Sequence, residues 1–143
     1  MTAPAPLLQV RRLKKHYAIP GGFLGTVSRH VRAVDGVSFA IAKGETLALV
    51  GESGCGKSTV GKAILRLFDI TDGEVVLAGR RIDNLSMRAL RPLRRAVQVV
   101  FQDPFSSLNP RMRARDILAE PIRNFGLAKS SAELEAKVSA LMD

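Results

Sequence analysis

A glycine-rich segment that ends in a lysine and two hydroxyl residues is the part of the sequence best suited to chemistry. It fits the spacing Gly-x-x-x-x-Gly-Lys-[Ser/Thr] and consists of Gly51, Glu52, Ser53, Gly54, Cys55, Gly56, Lys57, Ser58 and Thr59. Glycines allow backbone angles at which successive amide groups turn inward around phosphate oxygens. Lys57 would bring positive charge to nucleotide phosphates, and Ser58 a hydroxyl to Mg²⁺. The spacing predicts a nucleotide phosphate site, and the alternative is a glycine-rich turn that binds nothing.

The flanking sequence has to place this segment between a strand and a helix. Thr46–Val50 is a short, continuously apolar run, which is typical of a strand buried on both faces. From Lys57 onward the apolar residues recur with helical spacing, until Asp72 and Gly73 end the segment. The start of such a helix adds partial positive charge beside the loop. Strand, loop and helix is the order that the motif requires.

Further strands and helices are predicted around this unit. The proline and glycines in Ile19–Arg29 indicate a surface loop. A second buried strand is expected at Val97–Phe101, so we expect a mostly parallel sheet with helices. The other predicted elements are strands at Leu7–Leu13, Val31–Ile41 and Glu74–Ala78, a short basic helix at Leu85–Arg95 broken at Pro92, a loop at Asp103–Pro110, and helices at Arg113–Phe125 and Ser131–Met142, the last with a cap signal at Ser130, Ser131 and Glu133.

The composition is that of an ordinary globular chain with excess positive charge. Of 143 residues, 46% are hydrophobic and 24% charged, which excludes a disordered chain, and the formal net charge is +9. The densest basic stretch, residues 80–95, has no interleaved aromatic residues to stack on bases, so no nucleic-acid partner is expected. A solvated surface and an anionic partner such as lipid headgroups both stay open for it. Cys55 is the only cysteine, and no signal peptide or membrane-spanning run is present, so the cytosol is the default compartment.

With these residues, the chain resembles the ATPase subunits of ABC transporters, specifically the oligopeptide and dipeptide importer group. Besides the glycine-rich loop, Ala33–Phe39 and Ala119–Pro121 are similar to segments of that group. The longest similar segment is Val100–Met112, with the sequence VFQDPFSSLNPRM, which resembles the family's glutamine loop. Ile19–Arg29 resembles a loop in the second ATPase of those importers, which is the F-type partner of a heterodimeric pair of ATPase subunits. The resemblance covers nearly the whole chain but only the first part of the family's domain.

The resemblance implies ATP and Mg²⁺ as cofactors and gives roles to residues outside the loop. Gln102 would contact Mg²⁺ or the attacking water, because a side-chain amide carries both a donor and an acceptor; a glutamine that caps a strand end is the alternative. Tyr17 matches the position at which the family stacks an aromatic ring on adenine, and an ordinary surface tyrosine is the alternative. Lys57 and Gln102 are thus candidate catalytic residues, and Ser58 and Gln102 candidate metal ligands.

The implied fold is α/β, a P-loop NTPase core with an antiparallel β subdomain at the N-terminus and the start of a helical subdomain. Residues 1–143 would form the N-terminal portion of an ABC ATPase domain, with 1–112 as the β-rich and P-loop core and 113–143 as the beginning of the helical subdomain. The implied partners are a second ABC ATPase subunit and transmembrane permease subunits, at the cytoplasmic face of the inner membrane. The implied function is ATP hydrolysis that drives uptake of peptides or similar small solutes.

Several motifs of the family do not occur in these residues. There is no Leu-Ser-Gly-Gly-Gln and no Asp-Glu pair, and both histidines, His16 and His30, precede the loop. We therefore expect a truncated chain that binds nucleotide without hydrolysing it. The alternatives are a different P-loop enzyme, such as a GTPase or a small-molecule kinase, a non-hydrolysing fragment that only pairs with other chains, and an ABC ATPase of another system, such as DNA repair.

Overall fold

The computed structural model describes residues 5–21, 26–103 and 107–142. The chain divides into two compact units, one that ends at Leu90 and one that starts at Arg91. The domain division between residues 112 and 113 stays a prediction.

The first unit contains a four-stranded sheet in the order β2-β1-β3-β4, in which every pair of neighbours is antiparallel. This confirms the expected antiparallel subdomain. The elements in chain order are β1 (Leu8–Gly21), β2 (Thr26–Ile41), α1 (Lys57–Ile64), β3 (Asp72–Leu77), β4 (Arg80–Arg81) and α2 (Met87–Leu90).

A bulge in β1 brings the core residues of this strand to one side. Val10 and Leu13 are both buried, although residues three apart in a regular strand point to opposite faces. The register between β1 and β2 shifts between these two residues, and Arg12 adopts a φ of 46°. The Arg12 N–H donates to Ser38 Oγ at 2.8 Å. The bulge adds one residue to β1, so the side chains of Val10 and Leu13 point to the same side of the sheet. Both therefore join Val75 of β3 in the core.

Helix α1 lies against β1 and β2 with its apolar face. Val60 and Ala63 are its buried residues, and their spacing of three places them on the same side of the helix. The sequence predicts a helix that continues to Asp72, but α1 ends at Ile64. Arg66, which follows, has a φ of 52°, and this left-handed conformation is incompatible with a continued α-helix.

The prediction of a surface loop over Ile19–Arg29 is wrong for the residues that the structure describes. Strand β1 continues to Gly21, β2 begins at Thr26, and the two pair as an extended hairpin. The register shifts between Ile19 and Pro20, which accommodates a residue without an N–H to donate. Residues 22–25 lie outside the described part of the chain.

The predictions of buried strands at Thr46–Val50 and Val97–Phe101 are also wrong. Both segments lie outside the strands and helices, and Val50 and Val100 are 89% and 95% exposed. A strand that is buried on both faces needs paired neighbours and a layer on each face. Among the described residues neither segment has such neighbours, so the expectation of a mostly parallel sheet does not hold there.

The second unit consists of short helical elements. Its core is formed by Ala119, Ile122, Leu134 and Val138. The predicted cap before the last helix is confirmed, because the Glu133 N–H donates to Ser130 Oγ at 3.2 Å. The elements are a 3₁₀ segment (Arg91–Arg95) that contains Pro92, α3 (Ala114–Asn124) and α4 (Ser131–Ser139).

Candidate functional site

Residues 51–56 form a loop that leads directly into α1, and its glycines have unusual backbone angles. The φ angles are 152° at Gly51, 83° at Gly54 and 97° at Gly56, a region that residues with side chains rarely adopt. Gly56 is also the N-cap of α1, and its carbonyl accepts the Val60 N–H at 2.9 Å. The strand predicted before the loop is missing, but the transition from loop to helix is as predicted.

At two glycines of the loop a side chain would come very close to a neighbouring atom, which is backbone at Gly56 and a side-chain sulfur at Gly51. A Cβ on Gly56 would lie 2.3 Å from the carbonyl oxygen of Ala33 in β2, and a Cβ on Gly51 would lie 2.8 Å from Cys55 Sγ. Both distances are shorter than ordinary contacts between heavy atoms. The loop is therefore packed against the backbone of β2, a contact that the sequence motif alone does not reveal.

The side chain of Lys57 folds back over the loop. Its Nζ donates to the carbonyl oxygens of Gly51 at 2.8 Å and Glu52 at 2.6 Å. Cys55 Sγ lies 3.5 Å from the same nitrogen. The positive charge is thus held at the loop whose amide groups are expected to surround phosphates.

The start of α1 is suited to an anion. In the described structure no side chain makes a capping hydrogen bond to this helix, and its first turn contains no acidic residue. The first backbone N–H groups of a helix have no partner within the helix and carry partial positive charge. Phosphate oxygens can accept hydrogen bonds from these N–H groups, and they carry the opposite charge. The glycine loop and this helix end are therefore suited to an anionic group such as a phosphate.

Ser58 is the residue of this loop and helix start that the sequence predicts to bind Mg²⁺. Ser58, in the first turn of α1, is exposed, and Thr59 beside it is half-buried. Within residues 5–21, 26–103 and 107–142, no group of three or more His, Cys, Asp or Glu side chains could hold a metal ion. A hydroxyl such as that of Ser58 can bind Mg²⁺ that is also held by phosphate oxygens.

Tyr17 lies in β1 beside an aromatic and a basic residue. Its ring packs against that of Phe68 in a T-shaped arrangement, with centroids 6.2 Å apart. Lys15 Nζ lies 4.9 Å from the centroid of the Tyr17 ring and 4.8 Å from that of Phe68. Sequence reasoning missed Lys15 and Phe68 as members of this cluster. The i, i+2 spacing of Lys15 and Tyr17 in a strand was the available signal, because such residues share a face.

Gln102 belongs to the second unit and is exposed, outside helices and strands. Among the described residues near it, the Ser107 hydroxyl donates to the Asp103 carbonyl at 2.5 Å, and the Arg111 N–H donates to Asn109 Oδ1 at 3.0 Å. Residues 104–106 lie outside the described part of the chain. The role of Gln102 stays a prediction.

The helices of the described residues are all too short or too polar to cross a lipid bilayer.

Comparison with known proteins shows close relatives over most of the chain. The family described as "ABC transporter" matches residues 34–143. The chain is 48% identical over 127 residues to the glutathione import ATP-binding protein GsiA of Salmonella paratyphi A, covering 89% of this chain and 20% of that protein. It is 52% identical over 119 residues to the probable peptide ABC transporter ATP-binding protein y4tS of Sinorhizobium fredii, covering 83% of this chain and 34% of that protein. The chain thus spans a fifth to a third of these relatives.

Two similar solved structures have the same fold. One is a dimeric, post-hydrolysis state of the ATP-binding cassette MJ0796 bound to ADP and Pi, with a TM-score of 0.74, 25% identity, and coverage of 93% of this chain and 54% of that one. The other is a dimeric structure of the same cassette, with a TM-score of 0.70 and 26% identity over 89% of this chain and 52% of that one. Since the family match spans well over half of the sequence and both sequence relatives are far above 30% identity, the chain belongs to the ABC transporter family.

Proposed function

We propose that this chain binds Mg-ATP and that, in its complete form, the subunit is the ATPase of an importer for peptides or similar small solutes. The names of the two sequence relatives, a glutathione import protein and a probable peptide transporter, support the class of transported solute. The ADP and Pi bound by the MJ0796 cassette support an adenine nucleotide. ATP hydrolysis would then drive uptake.

The observation that carries the proposal is the position of the Lys57 ammonium group over the loop. It contacts the carbonyls of Gly51 and Glu52, directly before a helix end with no side-chain cap and no acidic first turn. Phosphates would gain one charged hydrogen bond from Lys57 and several from backbone N–H groups. A phosphate group carries several negatively charged oxygens and is small enough to fit inside such a loop.

The remaining site residues have proposed roles that follow the family resemblance. The loop residues Gly51 to Gly56 would surround the β phosphate with their N–H groups. Ser58 and Gln102 would hold Mg²⁺, Tyr17 would stack on adenine, and Lys57 with Gln102 would act on the γ phosphate. Mg²⁺, when bound, neutralises charge that develops on the phosphates.

Titration with nucleotides tests the binding site, and the chain offers an internal probe. Tyr17 is the only tyrosine and there is no tryptophan, so the near-ultraviolet emission of the protein reports on this one ring. We expect calorimetry to detect binding of both Mg-ATP and tripolyphosphate, but only Mg-ATP to quench the Tyr17 emission, because only ATP has a base to stack. Tighter binding of GTP than of ATP would favour the GTPase alternative. No binding of either ligand would contradict the site.

The partners and location of the complete subunit belong to the same proposal. We place it at the cytoplasmic face of the inner membrane, as a peripheral subunit bound to a second ABC ATPase subunit and to transmembrane permease subunits. The dimers formed by the MJ0796 cassette support the pairing of ATPases. Co-purification with a co-expressed permease pair and second ATPase, compared with a pair from an unrelated importer, tests it.

A chain that binds ATP without turning it over is the second candidate for these 143 residues. The observation in its favour is the lack of an Asp-Glu pair and of Leu-Ser-Gly-Gly-Gln, since hydrolysis needs a group that orients water and a motif that closes over the γ phosphate. We expect no phosphate release above background. Release at rates usual for enzymes, about 1–10³ s⁻¹, would show that another residue supplies the base.

A further inference from the structure

The ammonium group of Lys15 connects β1 to the segment that follows α1. Its Nζ donates to the carbonyl oxygen of Asp69 at 2.7 Å. The same nitrogen lies over two aromatic rings, 4.9 Å from the centroid of Tyr17 and 4.8 Å from that of Phe68. A cation held by one carbonyl and two ring faces has a defined position. Lys15 therefore differs from an ordinary solvated surface lysine.

The partners of Lys15 are themselves anchored. Arg66, only 5% exposed, donates to the Phe68 carbonyl at 3.3 Å and to Asp69 Oδ1 at 2.8 Å. It also donates to the Leu85 carbonyl at 3.3 Å. The segment of Phe68 and Asp69 is thus tied to the rest of the first unit. Because this segment follows α1, Lys15 links the Tyr17 ring to the helix that begins at the phosphate loop.

Tyr17 stays partly exposed despite the contact with Lys15. The ammonium group lies over one face of the ring, and Tyr17 as a whole is still 42% exposed. Attraction between the cation and the ring restricts rotation about the side-chain bonds. A ring that is already fixed loses less conformational entropy when a base stacks on it.

From these contacts we infer that Lys15 is a positioning residue for nucleotide binding. It holds the Tyr17 ring in a fixed place relative to α1, so that one ligand can reach both the ring and the phosphate loop. The ligand class is a nucleoside triphosphate, whose base and phosphates are joined through one ribose, which limits the distance between them. The inference rests on the proposed function of Tyr17 and of the loop.

The test compares three lysine variants by two measurements. Lys15→Met removes the charge and keeps the length of the side chain, whereas Lys15→Arg keeps a cation that can lie over the rings. Lys14→Met is the matched control, because the neighbouring Lys14 forms an ion pair with Asp72 at 3.0 Å instead. The measurements are the fluorescence anisotropy of Tyr17 without ligand, and the calorimetric affinities for Mg-ATP and for tripolyphosphate.

We expect Lys15→Met to lower the anisotropy and to weaken Mg-ATP binding about 2- to 5-fold, with an unchanged affinity for tripolyphosphate. Lys15→Arg and Lys14→Met should behave like the wild type. Unchanged anisotropy in Lys15→Met would overturn the inference, and so would an equal loss of affinity for both ligands, which would indicate damage to the loop. Lower anisotropy with unchanged ATP affinity would overturn the role in nucleotide binding. Failure of the wild type to bind tripolyphosphate would instead contradict the proposed phosphate site itself.

Discussion

At the scale of single residues, the positive charge inside the loop comes from Lys57. Its ammonium group donates to the backbone carbonyls of Gly51 and Glu52. Its side chain is half-buried, and the core residues of α1 are Val60 and Ala63. We therefore expect ligand binding and folding to depend on different residues of the same helix.

Replacing Lys57 by alanine is expected to weaken ATP binding strongly and leave the fold intact. Loss of a charged hydrogen bond costs about 1.5–3 kcal/mol, which corresponds to about 10- to 150-fold in affinity. Lys62→Ala is the matched control, since Lys62 lies in the last turn of α1 and is exposed. Calorimetry measures affinity and thermal melting checks the fold. Equal ATP affinity of Lys57→Ala and the wild type would exclude Lys57 from the site.

Cys55 is the second residue whose chemistry reports on the loop. It is exposed and its Sγ lies 3.5 Å from Lys57 Nζ. Because it is the only cysteine, alkylation labels this position alone. We expect an alkyl group to fill the space near Gly51 and block ATP binding, and Mg-ATP to slow the labelling by covering the sulfur. Cys55→Ser should still bind ATP. A labelling rate that saturating Mg-ATP leaves unchanged would show that the bound ligand does not cover Cys55.

At the scale of secondary-structure elements, the loop is positioned by the contact between Gly56 and β2. Gly56→Ala would introduce a Cβ 2.3 Å from the Ala33 carbonyl at a φ of 97°, so we expect a loss of at least about 1–3 kcal/mol in the free energy of unfolding.

Gly61→Ala is expected to have the opposite effect on stability. A Cβ on Gly61, inside α1, meets nothing within 4 Å, so we expect a gain of about 1 kcal/mol from helix propensity. Urea denaturation measures both, and a stable Gly56→Ala variant would contradict the close contact.

Ion pairs between neighbouring strands of the sheet lower the pKa of two carboxyl groups. The pKa of Asp35 in β2 is lowered from 3.8 by a hydrogen bond with His16 of β1 and by the charge of Arg32. The pKa of Asp72 in β3 is lowered from 3.8 by a hydrogen bond from Lys14 and by the Gly73 N–H. A carboxyl group whose pKa is lower in the folded state stabilises the fold above its unfolded pKa, and this contribution is lost as the pH falls through the folded pKa.

We therefore expect the free energy of unfolding to fall as the pH is lowered below 3.8. Asp35→Asn and Asp72→Asn should each be less stable at neutral pH and should lose less stability on acidification than the wild type. The measurement is the urea midpoint across the acidic range. Parallel curves for the wild type and both variants would show that these two groups do not contribute to the acid sensitivity.

At the scale of the whole molecule, apolar side chains are exposed in two segments that belong to no strand or helix. Val50 is 89% exposed and Val100 is 95% exposed. Their apolar neighbours in each segment are exposed as well, namely Leu47 and Leu49 in the first and Val99 and Phe101 in the second, and exposed apolar surface promotes association. We expect the chain to self-associate, and Val50→Lys or Val100→Lys to reduce this association, as measured by light scattering after gel filtration. Met87→Lys, at a position in α2 that is 62% exposed, should have less effect. A monodisperse monomer for the wild type would contradict the prediction.

The sequence by itself determined the features whose causes are local. The glycine-rich loop and the start of α1 were predictable because the glycine angles and the beginning of a helix depend on neighbouring residues. The cap at Ser130 and Glu133 was predictable for the same reason. The expected antiparallel subdomain also formed, and the family match supports the same fold.

Only the tertiary structure decided the features that depend on distant residues. Nothing local indicates that Gly56 approaches Ala33, or that Lys15 meets Phe68. The bulge at Arg12 reverses the simple alternation of faces in β1. The apolar run Thr46–Val50 has the composition of a buried strand but lies exposed. A strand forms and is buried only when other segments pair with its edges and cover its faces, and the run itself does not contain those partners.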